Sequence, residues 1–249
     1  MKNAYRLIIA YDGTDYYGWQ FQNDRPSVEG VIRKTFLRSF KQKDVLFVGA
    51  SRTDAGVHAR GQTARLKTDL LLEPHKLMTI LNRALPRDIQ IVSCIHAPDR
   101  FHPHHDVLMK TYTYSFSLQK PSPQESRFLY YFPWDIDIKT MQEALRVFEG
   151  THDFSYFCKE AVAEKSKIKT ITSIMLEEKN THFIITIKGT SFLRYMIRRI
   201  VGAAFAVASH QNVSLQELKE TLSQKNKRAK LLITAPAHGL CLSTIDYKN

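Results

Sequence analysis

Arg52 and Asp54 stand two positions apart, directly after a short apolar run at 45–48 and directly before the small pair Ala55 and Gly56. The run reads as a strand, and the Ala-Gly pair as a tight turn that receives it. On an extended chain, side chains two apart project to one side, so the Arg52 guanidinium falls beside the Asp54 carboxylate. A neighbouring cation favours the ionised carboxylate, and an ionised, positioned carboxylate is a candidate nucleophile. The small residues that follow leave room for a large substrate to approach the backbone. Taken alone, Arg-Thr-Asp reads as an ordinary surface turn carrying an ion pair.

Other stretches carry chemistry of a different kind. Residues 12–22, Asp-Gly-Thr-Asp-Tyr-Tyr-Gly-Trp-Gln-Phe-Gln, mix aromatic and amide groups that suit stacking on and hydrogen bonding to nucleotides, although loop aromatics also serve as core plugs. Residues 101–106 hold His102, His104 and His105, but without the spacing of a zinc motif, so no metal site is expected. A helix over 191–209 is apolar around most of its circumference yet places Arg194 and Arg198 at i and i+4 with Gly202 beneath. A buried arginine needs an anion, and the candidates are a carboxylate such as Asp54 or an RNA phosphate.

The elements that must position these groups follow from periodicity. Alternation predicts strands at 5–11, 61–67, 89–95, 110–118, 168–177 and 182–188, with a last strand ending at 247. Helical spacing, with Ser27 as N-cap and Val28, Ile32, Phe36 and Phe40 inward, predicts a first helix. Further helices are predicted at 74–85, at 138–148 closed by Gly150, and at 215–222. The first half reads β-α-β-β-α-β, the order of a ferredoxin-like split βαβ unit. Residues 159–169 are expected to be an exposed lysine-rich loop, and 225–230 a solvated basic run.

Composition bounds the partners. Lys and Arg number 36 against 24 Asp and Glu, a net charge of +12 that is costly by self-repulsion unless a polyanion is near. No lipidation signal, signal peptide or membrane-spanning segment is read, so nucleic acid is the expected partner and the cytoplasm the expected compartment. The three cysteines are widely spaced, which suggests neither a disulfide framework nor a zinc site.

The longer string Arg-Thr-Asp-Ala-Gly-Val-His-Ala, residues 52–59, resembles the active-site motif of the tRNA pseudouridine synthase A family. Five further segments resemble that family in order: Tyr-Asp-Gly-Thr with Gly-Trp-Gln from residue 11, Lys-Thr-Tyr-x-Tyr from 110, Gly-x-x-Asp-Phe-x-x-Phe from 150, Phe-Leu-x-x-Met-Ile-Arg-x-Ile-Val-Gly from 192, and Pro-Ala-x-Gly-Leu-x-Leu from 236. Tyr16, Ser51 and His104 depart from its pattern. The resemblance implies an α+β fold of two ferredoxin-like (RRM-like) halves, 1–105 and 106–249, whose antiparallel sheets join around a central basic cleft. It implies a cofactor-free homodimer that binds tRNA and isomerises uridine to pseudouridine at positions 38 to 40 of the anticodon stem-loop. Asp54 and Arg52 would then be catalytic, with Tyr112 stacking on the base and Arg198 pairing with Asp54. Leu240 would line the base pocket, and Tyr11, Trp19, Gln20, His58 and Phe101 are the further candidate substrate contacts. The alternatives are a non-catalytic RNA-binding protein or folding chaperone on the same scaffold and, third, a metal-dependent nuclease using Asp12, Asp15 and Asp54.

Overall fold

The computed structural model describes residues 3–159, 166–209, 213–224 and 233–248. Most of the lysine-rich loop and the whole basic run at 225–230 therefore lie outside the described residues. The chain divides into two compact units, Met1–Leu108 with Cys241–Asn249, and Met109–Leu240.

In the first unit the chain runs β1 (Asn3–Tyr11), α1 (Val28–Ser39), β2 (Leu46–Gly49), β3 (His58–Thr68), α2 (Pro74–Ala84) and β4 (Ile89–His96). Alternation in β1 buries Tyr5, Leu7, Ile9 and Tyr11, and β1 pairs antiparallel with both β3 and β4. Ser27 caps α1 by accepting from the Gly30 N–H, and Val28, Ile32 and Phe36 fill the core beneath. Pro74 opens α2, which buries Leu77 and Leu81.

β3 begins three residues earlier than its own sequence indicates, because the last strand, β10 (Leu240–Tyr247), returns to pair with it in parallel, Cys241 opposite His58 and Leu242 opposite Ala59. Gly61 permits this approach, since a Cβ there would lie 2.4 Å from the Ser243 carbonyl oxygen. The end of the chain is thus tied to the first unit, where Tyr247 donates to the Pro103 carbonyl.

The second unit holds β5 (Val107–Ser117), which starts in the first unit's last residues, then β6 (Tyr130–Tyr131), α3 (Ile138–Arg146), β7 (Gly150–Asp153), β8 (Ile168–Lys179), β9 (His182–Gly189), α4 (Met196–Ala208) and α5 (Leu215–Leu222). β9 pairs antiparallel with β5 and β8, and β8 with β7. β6 and β7 are too short for periodicity to reveal; α3 ends at Arg146, and Gly150, at φ 99°, opens β7 rather than closing a helix. Each unit is α+β; β2 also pairs antiparallel with β3, while β10 on β3 and β6 on β5 pair parallel.

One helix boundary corrects the sequence expectation. α4 starts at Met196, not 191, because Leu193 accepts from the Met196 N–H to form a turn and Tyr195 enters the left-handed region at φ 64°. Arg194 therefore precedes the helix, and its placement relative to Arg198 is not set by a helical i, i+4 spacing. Among the described residues no helix is long and apolar enough to cross a membrane.

Candidate active site

Asp54 occupies a loop held from below and from the side by backbone. Below, Ala50 N–H donates to Thr63 in β3, and the buried Gln62 amide both donates to the Ser51 carbonyl at 2.6 Å and accepts from its N–H at 3.2 Å. To the side, the 12–22 loop docks on it: Trp19 N–H donates to the Thr53 carbonyl at 3.1 Å, and Gly56 N–H to the Tyr16 carbonyl at 3.2 Å. Gly18 makes the docking possible, for at φ 87° a Cβ would sit 2.6 Å from the Thr53 carbonyl oxygen. Within the loop, Val57 N–H returns to the Asp54 carbonyl and Gly56 takes φ 76°, closing the turn that the Ala-Gly pair predicts. Asp54 emerges half-buried, with Arg52 and Ala55 exposed on either side.

The neighbouring candidates divide into supports and contacts. Tyr11 is buried and shares a hydrogen bond of 2.8 Å with the Thr53 hydroxyl, one residue from the carboxylate. Trp19 is 1% exposed, its ring under Gly49 and beside Phe47 and Tyr11, so it plugs the core beneath the loop. His58 is also buried; its Nδ1 lies 3.0 Å from the Gly13 nitrogen and 3.1 Å from the Asp12 carboxylate, which ties the start of one loop to the end of the other. Gln20 is exposed and donates to Glu29. Phe101 packs edge-on to Tyr247 with Arg6 over both rings.

Glu29 is a residue whose importance the sequence concealed behind an ordinary helix-dipole role. Its carboxylate leaves the helix start to accept from the Phe21 N–H at 3.0 Å and the Gln20 amide at 2.9 Å. Burial raises its pKa, opposed by the Phe21 hydrogen bond and by the charges of Arg33 and Arg52. Thr53 and Gln62 were likewise invisible: small or amide side chains inside a strand or loop carry no periodic signal.

In the second unit Tyr112 lies mid-strand in β5, opposite Ile187, buried and edge-on to Phe192 at 5.3 Å. Two positions earlier, on the same face, burial lowers the Lys110 ammonium to about 8. Arg198 donates from Nε to the Ala235 carbonyl at 2.7 Å, while Ala235 N–H donates back to the Arg198 carbonyl. Gly202, one turn on, lets that segment pass close: a Cβ would lie 2.2 Å from the Ile233 carbonyl oxygen. Tyr114 donates to the neighbouring Pro236 carbonyl at 3.0 Å. Together these fix the segment that delivers Leu240, itself buried, to the start of β10. The Tyr195 ring carries Arg198 at 4.9 Å and Arg194 at 5.3 Å.

The histidines of 101–106 build a turn, His102 Nδ1 accepting from the His104 and His105 N–H groups. Among the described residues no group of three or more His, Cys, Asp or Glu side chains is placed to hold a metal ion.

The chain is similar in sequence to known proteins. The profile of a family described as tRNA pseudouridine synthase matches residues 7–106 and 144–248, which takes in both the Asp54 loop and the Arg198 helix. Relatives include tRNA pseudouridine synthase A 1 of Protochlamydia amoebophila, 35% identical over 99% of this chain and 97% of that protein, and tRNA pseudouridine synthase A of Phytoplasma mali, 37% identical over 98% of each. A solved structure described as an H/ACA RNP bound to a substrate RNA containing 2'-deoxyuridine aligns at a TM-score of 0.36 and 9% identity, covering 94% of this chain and 59% of that one. With a family profile spanning the loop, the helix and most of the chain between and around them, this protein belongs to the tRNA pseudouridine synthase family.

Proposed function

We propose that this pseudouridine synthase isomerises uridine at positions 38 to 40 of the tRNA anticodon stem-loop, with Asp54 as the nucleophile. The observation that carries the reading is the half-buried Asp54 carboxylate on a loop pinned by backbone on two sides, in a chain of this family. A nucleophile held by its backbone spends no energy on being positioned at the moment of reaction.

A stacked uridine must leave the helix before it can react, at a cost of a few kcal/mol. Arg52, exposed beside Asp54, fills the vacated space or holds the backbone. Asp54 bonds to the nucleoside, the bond from C1′ to N1 breaks, the uracil rotates, C5 bonds to C1′, and the bond to Asp54 breaks to return the free carboxylate. The C5 proton is then lost and N1 is protonated, so the product is an isomer and no external oxidant or cofactor enters the balance. In this reading the second unit completes the site: Tyr112 stacks on the base, Leu240 lines its pocket, and Arg198 keeps Asp54 ionised. The 1–105 and 106–249 portions act as two ferredoxin-like halves around a basic cleft, in a cytoplasmic homodimer that binds tRNA largely through phosphate contacts. Such binding weakens steeply with salt.

The test is tritium release from tRNA carrying 5-tritiated uridine, in EDTA. Wild type releases tritium and Asp54→Ala does not. Binding without release by the wild type would replace the reading with that of an RNA-binding protein, and strand cleavage abolished by EDTA with that of a nuclease.

A further inference from the structure

The 12–22 loop turns its aromatic residues in two directions. Tyr16 and Trp19 go inward, at 8% and 1% exposure, whereas Tyr17 and Phe21 stand out at 48% and 44%. Exposing two large rings on one short loop forfeits burial that the loop achieves at its other two aromatic positions.

Each exposed ring is paired with a guanidinium. Arg25 lies 4.8 Å from the Tyr17 ring centre and Arg33 5.9 Å from that of Phe21. The rings are held rather than loose. Tyr17 N–H donates to the Pro26 carbonyl, and its own carbonyl accepts from the Gln22 amide. Phe21 lies across the first turn of α1, close enough that a Cβ on Gly30 would come within 3.0 Å of it, and its N–H is fixed by the buried Glu29. The charges of Arg33 and Arg52 both act against the upward shift of that same carboxylate. Part of the charge is met locally, Arg33 by Asp44 at 2.8 Å and Arg25 by Asp24 at 3.7 Å, and Arg52 is exposed.

Aromatic rings with adjacent arginines, in a chain of net charge +12, match one kind of occupant: unstacked nucleotides, whose bases present π faces and whose phosphates present negative charge. A base inside a duplex has no free face to offer. The same loop donates from Trp19 to Thr53 and accepts from Gly56, so the two rings belong to the structure that grips the Asp54 turn.

We infer that Tyr17 and Phe21, with Arg25 and Arg33, form a stacking platform for unpaired loop nucleotides next to the target uridine, and that Glu29 is the positioning residue that holds the platform against the Asp54 loop. The inference rests on the tRNA-modifying reading above. Stacking reads π faces rather than hydrogen-bond patterns, so this platform tolerates different bases and favours substrates by the presence of an adjoining single strand.

The test uses full-length protein and tRNA with 2-aminopurine at each unpaired nucleotide flanking the target. Tyr17→Leu and Phe21→Leu remove the π faces from exposed positions, and circular dichroism melting verifies folding. Each should raise KM about tenfold, the loss appearing in KM rather than kcat, and should abolish the quenching of at least one 2-aminopurine that wild type produces on binding. Tyr17→Phe and Phe21→Tyr should restore both signals, which a role confined to loop packing would not require. Folded Leu variants with wild-type KM and quenching would overturn the platform. Wild type that binds and quenches but releases no tritium would overturn the catalytic reading and leave the platform standing.

Discussion

The Asp54 loop and the Arg198 helix solve the same problem, fixing one charged side chain, by different means. Asp54 is held through backbone: hydrogen bonds to β3 below, a second loop alongside, Gly18 where the two loops touch, and Gly56 at the positive φ of the turn. Arg198 is held through its own side chain, which latches the Ala235 carbonyl and rests on the Tyr195 ring. A backbone-held position keeps its place when the side chain is changed, so such a change disturbs the fold little. A side-chain-held position gives the side chain an architectural task, because the Arg198 guanidinium secures the segment leading to Leu240.

The contrast can be broken by experiment. Asp54→Ala should lower kcat/KM by about 10^4-fold or more while the thermal midpoint moves by only about 2 °C, since the loop's backbone bonds remain. A large loss of stability would show that the side chain, and not the backbone, holds the loop. Gly18→Ala attacks the backbone support instead: strain at φ 87° and the approach to Thr53 should cost about 1–3 kcal/mol, and displacement of Asp54 about 100-fold in kcat. Paired urea unfolding and single-turnover kinetics separate these two effects.

Arg198→Met sharpens the other side. It removes a charged donor from the Ala235 carbonyl, worth about 1.5–3 kcal/mol, so stability and activity should fall together. Unchanged urea midpoints in that variant would assign Arg198 to chemistry alone. The smallest effect belongs to Glu29. Its folded pKa is raised above the ordinary value of 4.5, so its contribution to stability is fully present below 4.5 and is lost as pH rises through the folded value. Glu29→Gln should flatten the dependence of the urea midpoint on pH just above 4.5.

Local signals carried a good share of this molecule. The 5–11 alternation, the Ser27 cap, the 215–222 helix and the Arg-Thr-Asp-Ala-Gly turn each depend on neighbours in sequence, and each forms where periodicity or turn chemistry puts it. Local signals missed β6 and β7, which consist of two and four residues and exist only because a partner strand is alongside. They also ran α4 back to 191, since nothing in the composition of 191–195 reveals that Tyr195 takes a left-handed turn.

The candidate site divides the same way. Residue types alone placed Arg52 and Asp54 at a turn, and the motif string pointed to the family. Tertiary structure decided which aromatics of the 12–22 loop are core and which are surface, because Trp19 and Phe21 are both large aromatics two positions apart and the packing of β2 and α1 around them separates their fates. It likewise decided that Arg198 grips Ala235 and that Glu29 grips Phe21. These contacts join residues 37 and 8 positions apart, and a periodic pattern, which reports only the face a residue occupies, does not encode what will lie opposite that face.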